Sequence, residues 1–207
     1  MRFEKEMIPL LNNYLISNLG FEKIINEFNS GYGIADVIGI KKKPDSAIYS
    51  FSSVFEVGII SKISRKNWTL FSEIMNESMY SEKYLKYNIL NKFVKNGFLI
   101  KKKNQYKRLR ELPNEYNPLI AIEAKLINWK AAFSQALRYK KYADYTYIAI
   151  PDDIASKIDI DLFKENKIGI LTVNKYQIKV FLKANKNPKK DVLYSLVAKS
   201  YLSEQIT

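Results

Sequence analysis

Apolar positions recur along the chain with two periods, and each change of period marks a boundary between helix and strand. A spacing of three to four residues predicts helices over 2–19, 54–63, 69–75, 81–95, 129–141, 154–166 and 191–204. Short β-branched or alternating runs predict strands over 21–28, 33–40, 119–125, 145–150, 168–173 and 176–182, with a basic hairpin over 98–112. Helices and strands are interleaved, so the pattern favours an α/β fold.

Two of the predicted core strands carry charged residues. Asp36 lies within the apolar run 33–40, and Glu123 and Lys125 follow the apolar run 119–122. Side chains two positions apart on a strand share a face, so Glu123 and Lys125 are expected to project together. Burying a carboxylate and an ammonium is costly, which favours a functional use, although a structural ion pair at a strand end has the same pattern.

Two predicted helices add polar candidates. Gln135 and Tyr139 are one turn apart on the helix 129–141, so they share a face. Glu4 falls within the apolar stripe of the first helix, whereas Glu6 falls on its outward face and is the second choice. Ordinary helix packing, or a charge that complements the helix dipole, is the alternative interpretation of these residues.

The 207 residues include neither cysteine nor histidine. This composition excludes disulfides, thiolate zinc sites, Ser-His-Asp hydrolases and nearly all transition-metal sites. Hydrolytic chemistry would therefore depend on carboxylates, lysine, tyrosine and an oxygen-liganded cation such as Mg²⁺ or Mn²⁺. No apolar run approaches the roughly 20 residues of a membrane helix, and residues 1–6 do not resemble a signal peptide, so we expect a soluble, cytoplasmic protein.

Positive charge is concentrated in one part of the chain. The formal net charge is +13, and residues 51–113 contain 13 Lys or Arg against 5 Asp or Glu. A bias of the genome towards lysine codons explains part of the lysine content but not this clustering. The excess favours a polyanionic partner.

Asp36, the element Glu123-Ala124-Lys125 and the element Gln135-Ala136-Leu137-Arg138-Tyr139, in that order, resemble the PD-(D/E)xK nuclease superfamily and its RecB-type members. The resemblance covers roughly residues 1–50 and 113–185. The chain departs from the family at Ala35, where a proline is expected, and in the long separation of Asp36 from Glu123. It implies a restriction-endonuclease-like core, a central mixed sheet flanked by helices, formed by 1–50 and 113–207 and interrupted by an inserted domain at 51–112.

The same resemblance implies roles for the candidate residues. Asp36, Glu123 and Glu4 would bind Mg²⁺ or Mn²⁺, and Lys125 would act as a base or as an electrostatic stabiliser. Gln135 and Tyr139 would position the phosphate or orient the catalytic lysine.

Residues 51–112 resemble a winged helix-turn-helix domain, because three predicted helices precede a basic hairpin. A recognition helix and a lysine-rich wing bind duplex DNA in such domains. The resemblance implies DNA contacts from Lys83, Lys86, Lys101, Lys102, Lys103, Lys107 and Arg108. A small helical lid with solvated lysines, or a winged helix that binds protein, is the alternative.

The sequence thus predicts a Mg²⁺-dependent endodeoxyribonuclease that binds duplex DNA and forms a homodimer to cut both strands. A non-catalytic DNA-binding or regulatory protein that retains the nuclease fold is the competing hypothesis. Cleavage of RNA or processing of branched DNA is a third.

Overall fold

The computed structural model describes residues 4–30, 33–41, 51–76, 78–110, 112, 118–188 and 190–204. The strands are β1 (Lys23–Asn29), β2 (Ile34–Ile40), β3 (Thr69–Leu70), β4 (Leu99–Lys102), β5 (Gln105–Arg108), β6 (Leu119–Ala124), β7 (Tyr145–Pro151), β8 (Gly169–Val173) and β9 (Ile178–Leu182). None of the helices in the described part of the chain combines the length and the hydrophobicity of a membrane-spanning segment.

The helices begin with a 3₁₀ turn, Glu4–Glu6, that leads into α1 (Met7–Ser17). They continue with α2 (Val54–Lys62), α3 (Phe71–Asn76), α4 (Glu82–Tyr84), a π-helical segment (Leu85–Leu90), α5 (Asn91–Lys95), α6 (Trp129–Tyr139), α7 (Asp152–Ala155), α8 (Ile160–Glu165) and α9 (Val192–Glu204). α1 ends at Ser17, and Gly20, the predicted cap, follows with a φ of +68° and donates its N–H to the Ile16 carbonyl.

Six strands form one mixed sheet in the order β1-β2-β6-β7-β8-β9. β6, β7 and β8 run parallel, and the other neighbours are antiparallel. Because parallel strands end on the same side, the ends of β6, β7 and β8 form one border of the sheet, here named the carboxyl edge.

Helices cover both faces of this sheet. On one face, α1 packs Met7, Leu11 and Leu15 against a cluster that includes Ala149. On the other face, α6 packs Ala132, Phe133 and Ala136 against a cluster that includes Ile148. Neighbouring residues of a strand point to opposite faces, which explains why Ile148 and Ala149 join different clusters. The predicted α/β fold with a central mixed sheet flanked by helices is confirmed.

The 51–112 segment has a hydrophobic cluster of its own, built from α2, α3, the 82–95 helical stretch and a small sheet in the order β3-β5-β4. Its buried aromatic residues are Phe51, Phe93, Phe98 and Tyr106. Leu196 of α9 belongs to the same cluster, whereas Ala198 and Leu202 pack on the large sheet. The last helix therefore joins the segment to the sheet.

Three local predictions differ from the structure. The helix predicted over 154–166 is two short helices, because Asp159 caps α8 by accepting the Leu162 N–H at 3.2 Å. The helix predicted over 69–75 begins only at Phe71, since Thr69 and Leu70 pair with β5. The helix predicted over 81–95 is π-helical in its centre. The predicted turn at 29–31 and the loop at 41–45 lie partly outside the described residues.

Candidate active site

Two adjacent strands bring Asp36 and Glu123 together. Val37 pairs with Ile122 in the antiparallel ladder of β2 and β6, so the next positions, Asp36 and Glu123, are cross-strand neighbours. Asp36 Oδ2 accepts the Ala124 N–H at 2.7 Å. The Asp36 carboxylate is thereby fixed at the carboxyl edge, beside the end of β6.

Lys125 follows β6 and lies between two carboxylates. Its Nζ is 3.1 Å from Glu4 Oε2 and 3.2 Å from Glu123 Oε1. Glu4 also accepts the Leu126 N–H at 3.3 Å, which holds the start of the first helix at the end of β6. Glu6 is exposed. The structure thus brings the preferred acidic residue of the first helix next to the lysine.

Tyr139 approaches Glu123 from α6. Its hydroxyl lies 2.5 Å from Glu123 Oε2 and 2.5 Å from the Ile34 carbonyl oxygen. Gly33 lies against the same end of α6: its φ is +131°, and a Cβ there would lie 3.2 Å from Arg138 Nε. Gln135 is half-buried one turn earlier, and its amide makes no hydrogen bond with the described residues.

Burial perturbs both carboxyl groups. Desolvation raises the pKa of Glu123, which is 1% exposed; the Tyr139 hydrogen bond opposes this shift and the charge of Asp36 reinforces it. Desolvation also raises the pKa of Asp36; the Ala124 N–H and Lys125 oppose this shift, and Glu4 and Glu27 reinforce it. The hydrogen bonds and the charge of Lys125 therefore do not fully offset the cost of burying these two neighbouring carboxylates.

The basic and phenolic groups keep their protons. Desolvation lowers the pKa of Lys125, but hydrogen bonds and charge from Glu4 and Glu123 outweigh it, so the pKa is raised overall. Burial and the hydrogen bond with Glu123 raise the pKa of Tyr139 above its ordinary value. Lys125 is therefore a cation and Tyr139 a neutral hydroxyl in this arrangement.

The donor atoms suit a hard divalent cation. Asp36 and Glu123 offer carboxylate oxygens from neighbouring strands, and a cation between them would offset their repulsion. In the part of the chain that the structure describes, no three Asp, Glu, His or Cys side chains are grouped to hold a metal as they stand. Asp36 and Glu123 are the residues that fit such an ion, and Glu4, the third predicted ligand, is paired with Lys125.

A carboxylate that the sequence analysis did not select lies beside Asp36. The pairs Asn26–Val37 and Phe28–Ala35 bracket Glu27 opposite Asp36, and Glu27 has a left-handed φ of +53°. It is exposed, and its charge contributes to the raised pKa of Asp36. The strand pattern contains no signal for this residue, because it depends on the register between β1 and β2.

The predicted DNA-contact residues divide into exposed and engaged groups. Lys83, Lys101, Lys102 and Lys103 are exposed, and Lys103 occupies the tip of the β4–β5 hairpin with a φ of +52°. Lys86 pairs with Glu82 at 2.5 Å. The remaining two, Lys107 and Arg108, are half-buried, and Arg108 Nε donates to the Ile63 carbonyl at 2.6 Å.

Neither protein-family models nor curated proteins match the chain. Among solved structures, a protein of unknown function from Silicibacter pomeroyi is similar at 15% sequence identity and a TM-score of 0.29. The similarity covers 41% of this chain and 55% of that one, little more than half of its length.

Proposed function

We propose that the protein is a metal-dependent endonuclease that hydrolyses phosphodiester bonds in DNA. The observation that carries the proposal is the convergence of Asp36, Glu123, Lys125 and Glu4 at the carboxyl edge, with Lys125 Nζ 3.1 and 3.2 Å from its two carboxylates. These groups come from the turn that precedes α1, from β2 and from the end of β6, so the cluster is not the product of one local pattern. An α/β core with this cluster supports the restriction-endonuclease-like interpretation.

The side chains suit the demands of phosphodiester hydrolysis. Mg²⁺ or Mn²⁺, bound by Asp36 and Glu123, would supply an activated water and screen the phosphate charge. Lys125, which is cationic here, would stabilise the charge that develops on the phosphate oxygens. Tyr139 would hold Glu123 in place through its hydroxyl. Glu4 restrains Lys125, and Gln135 would contact the phosphate from the same helical face as Tyr139.

We further propose that the 51–112 segment is a winged helix that binds duplex DNA. Its element order (helix, short strand, helix, helical stretch and hairpin) and the pairing β3-β5-β4 support this interpretation. The exposed Lys101, Lys102 and Lys103 at the hairpin tip would contact phosphates. A homodimer would allow the two strands of a duplex to be cut by two copies of the site.

A non-catalytic DNA-binding role is the second candidate. Two observations favour it. Lys125 forms ion pairs with both Glu4 and Glu123, and the described residues include no cluster of three or more acidic side chains arranged to bind a metal. In that case the acidic cluster would be structural, and DNA binding would be the whole activity.

Incubation of supercoiled plasmid with the protein in Mg²⁺, Mn²⁺ or EDTA distinguishes the two. We expect metal-dependent nicking or linearisation that falls by a factor of about 10²–10³ or more in Lys125→Ala, with DNA affinity retained. Lys164→Ala is the matched control, since Lys164 is an exposed lysine paired with Asp161 on α8. Retarded but uncut plasmid with the wild-type protein would reject the nuclease.

A second arm of this experiment tests the 51–112 segment. Replacing Lys101, Lys102 and Lys103 together by Ala should weaken duplex binding and reduce the slope of log K against log salt by up to about 3 × 0.9. The cleavage rate at saturating DNA should remain near the wild-type value. An unchanged salt slope would reject the hairpin as a DNA contact.

A further inference from the structure

The turn between β8 and β9 lies on the same border of the sheet as the candidate active site. β6, β7 and β8 are parallel, and Ala124, Ala149 and Leu171 form one row across them. Adjacent strands are about 4.8 Å apart, so β8 is about 10 Å from β6 across the sheet. The residues that follow Val173, at the end of β8, therefore extend past the carboxyl edge near Lys125.

This turn presents an aromatic side chain to solvent. Tyr176 is 80% exposed, and of the large apolar and aromatic side chains described only Met79 is more exposed. Ile127, which follows Lys125 on the same edge, is 77% exposed. Two large side chains are thus exposed at the edge that carries the acidic cluster, and neither belongs to a hydrophobic core cluster.

The turn is rigidly built. Asn174 Oδ1 accepts the N–H groups of Tyr176 and Gln177 at 2.9 and 3.0 Å, and the Asn174 N–H donates to the Gln177 carbonyl at 3.1 Å. The Asn174 amide also donates to Asp152 Oδ2 at 2.8 Å, which ties the turn to the end of β7. The backbone that carries Tyr176 is therefore fixed, so binding has to order only its side chain.

The surroundings of Tyr176 are basic. Residues 174–183 contain Lys175, Lys179 and Lys183 and no acidic residue. Lys175 Nζ lies 4.6 Å from the centre of the Tyr176 ring. The nearby carboxylate of Asp152 is engaged, since hydrogen bonds from Thr172 and Asn174 and the charge of Lys179 lower its pKa.

We propose that Tyr176 stacks on an unpaired base of a DNA strand that crosses the carboxyl edge, while Lys175 and Lys179 contact its phosphates. Aromatic side chains flanked by lysines bind single strands in this way, because every base has a π face. Bases within a duplex are covered on both faces by their neighbours, so only an unpaired or displaced base is available. The inference rests on the proposed DNA-binding function and adds to it a preference for duplex DNA that carries an unpaired stretch, such as a single-stranded extension.

Fluorescence anisotropy in EDTA, where no cleavage occurs, provides the test with the full chain. One labelled duplex is blunt, and the other carries a single-stranded extension. Tyr176→Ala should weaken binding of the extended duplex about 5- to 150-fold and leave blunt binding unchanged. Tyr176→Trp should retain the wild-type affinity. Abasic positions in the extension should lower the wild-type affinity to that of Tyr176→Ala without affecting the variant.

The double variant Lys175→Ala, Lys179→Ala tests the two lysines. The double variant Lys157→Ala, Lys164→Ala is the control, because it removes the same amount of charge from two other exposed positions. Only the first pair should lower affinity for the extended duplex beyond its effect on the blunt one. Equal affinity of the wild type and Tyr176→Ala for the extended duplex would overturn the inference, as would equal losses on both DNAs. The binding assay contains no metal and does not depend on cleavage. Failure to cut plasmid would therefore reject the proposed nuclease activity without rejecting the proposed stacking of Tyr176.

Discussion

Buried charged residues lie at both ends of β6, but positive partners outnumber carboxylates at its start, whereas carboxylates outnumber positive partners at its end. At its start, Asp144 accepts the Leu119 N–H at 2.9 Å and lies 2.5 Å from Lys190 Nζ and 3.6 Å from Lys199 Nζ. One carboxylate there has two ammonium partners and a backbone donor. At the other end, Lys125 pairs with Glu123 and Glu4, whereas Asp36 accepts, among the described residues, only the Ala124 N–H, and the pKa of Asp36 and of Glu123 is raised.

Under the proposed function, this difference separates a structural ion network from a catalytic one. A buried charge whose hydrogen bonds and ion pairs are complete holds the fold, and removing one partner leaves the others unpaired. Acids that remain destabilised in the folded state reduce stability, and such groups concentrate at functional sites. We infer that Asp144 holds α9 and Lys190 to the sheet through its two ion pairs, whereas the acids at the carboxyl edge keep unfavourable charge that the proposed metal binding would relieve.

The largest expected effect is that of Asp36→Asn on cleavage. The variant should lose metal-dependent plasmid cleavage by a factor of about 10²–10⁴, because a neutral amide binds a divalent cation weakly. Its stability should nevertheless rise at neutral pH, with each kcal/mol raising Tm by about 2–4 °C. The amide oxygen of Asn can still accept the Ala124 N–H, so the geometry is retained.

The pH dependence of that gain has a defined sign. The pKa of Asp36 is higher in the folded than in the unfolded state, so ionisation of Asp36 destabilises the wild-type fold. This destabilisation is complete above the folded-state pKa and disappears below the unfolded-state pKa. The difference in Tm between Asp36→Asn and the wild type should therefore be largest at neutral pH and shrink as the pH falls through the carboxyl range. A difference that grows on acidification would contradict the raised pKa.

Asp144→Asn should have the opposite effect on stability. It leaves Lys190 and the buried Lys199 without their carboxylate, which is expected to cost about 3–5 kcal/mol, or about 6–20 °C in Tm. Differential scanning calorimetry measures the loss, and plasmid cleavage at a temperature where the variant is folded should be near normal. Asp161→Asn, at an exposed pair on α8, is the control and should change the free energy of unfolding by less than about 1 kcal/mol.

Tyr139→Phe should have the smallest effect of the three. It removes the hydroxyl between Glu123 and the Ile34 carbonyl without opening a cavity, so the expected loss of stability is about 1 kcal/mol. If the hydroxyl orients Glu123, cleavage should fall by about tenfold in kcat with little change in KM. Tyr142→Phe, at a buried tyrosine on the same cluster, is the matched control and should leave kcat unchanged. Equal losses in both variants would assign Tyr139 to packing alone.

Local pattern was sufficient for most elements. The six predicted strands of the large sheet reappear within about two residues, because alternating or β-branched runs are short and bounded by polar turns. The hairpin predicted over 98–112 is shorter, since β5 ends at Arg108. Prediction was poorer where a long-range contact decides the conformation, as at Thr69 and Leu70, whose strand depends on β5. It was also poorer at 154–166, where the cap at Asp159 divides one apolar pattern into two helices.

The sequence by itself determined which candidate residues lie on strands and which on helices. Asp36 on β2, Glu123 at the end of β6 and Tyr139 on α6 follow from hydrophobic periodicity, with the family resemblance supplying their grouping. Their chemical roles stay predictions.

Only the tertiary structure decided how these residues meet. Lys125 and Glu4 are 121 positions apart, and Ala124 and Asp36 are 88 positions apart, so no local pattern encodes these contacts. The same holds for Glu27 beside Asp36 and for Tyr176 at the carboxyl edge, which depend on strand register and order. Hydrophobic periodicity reflects which side of an element is buried, whereas the pairing of strands sets which buried and edge groups become neighbours.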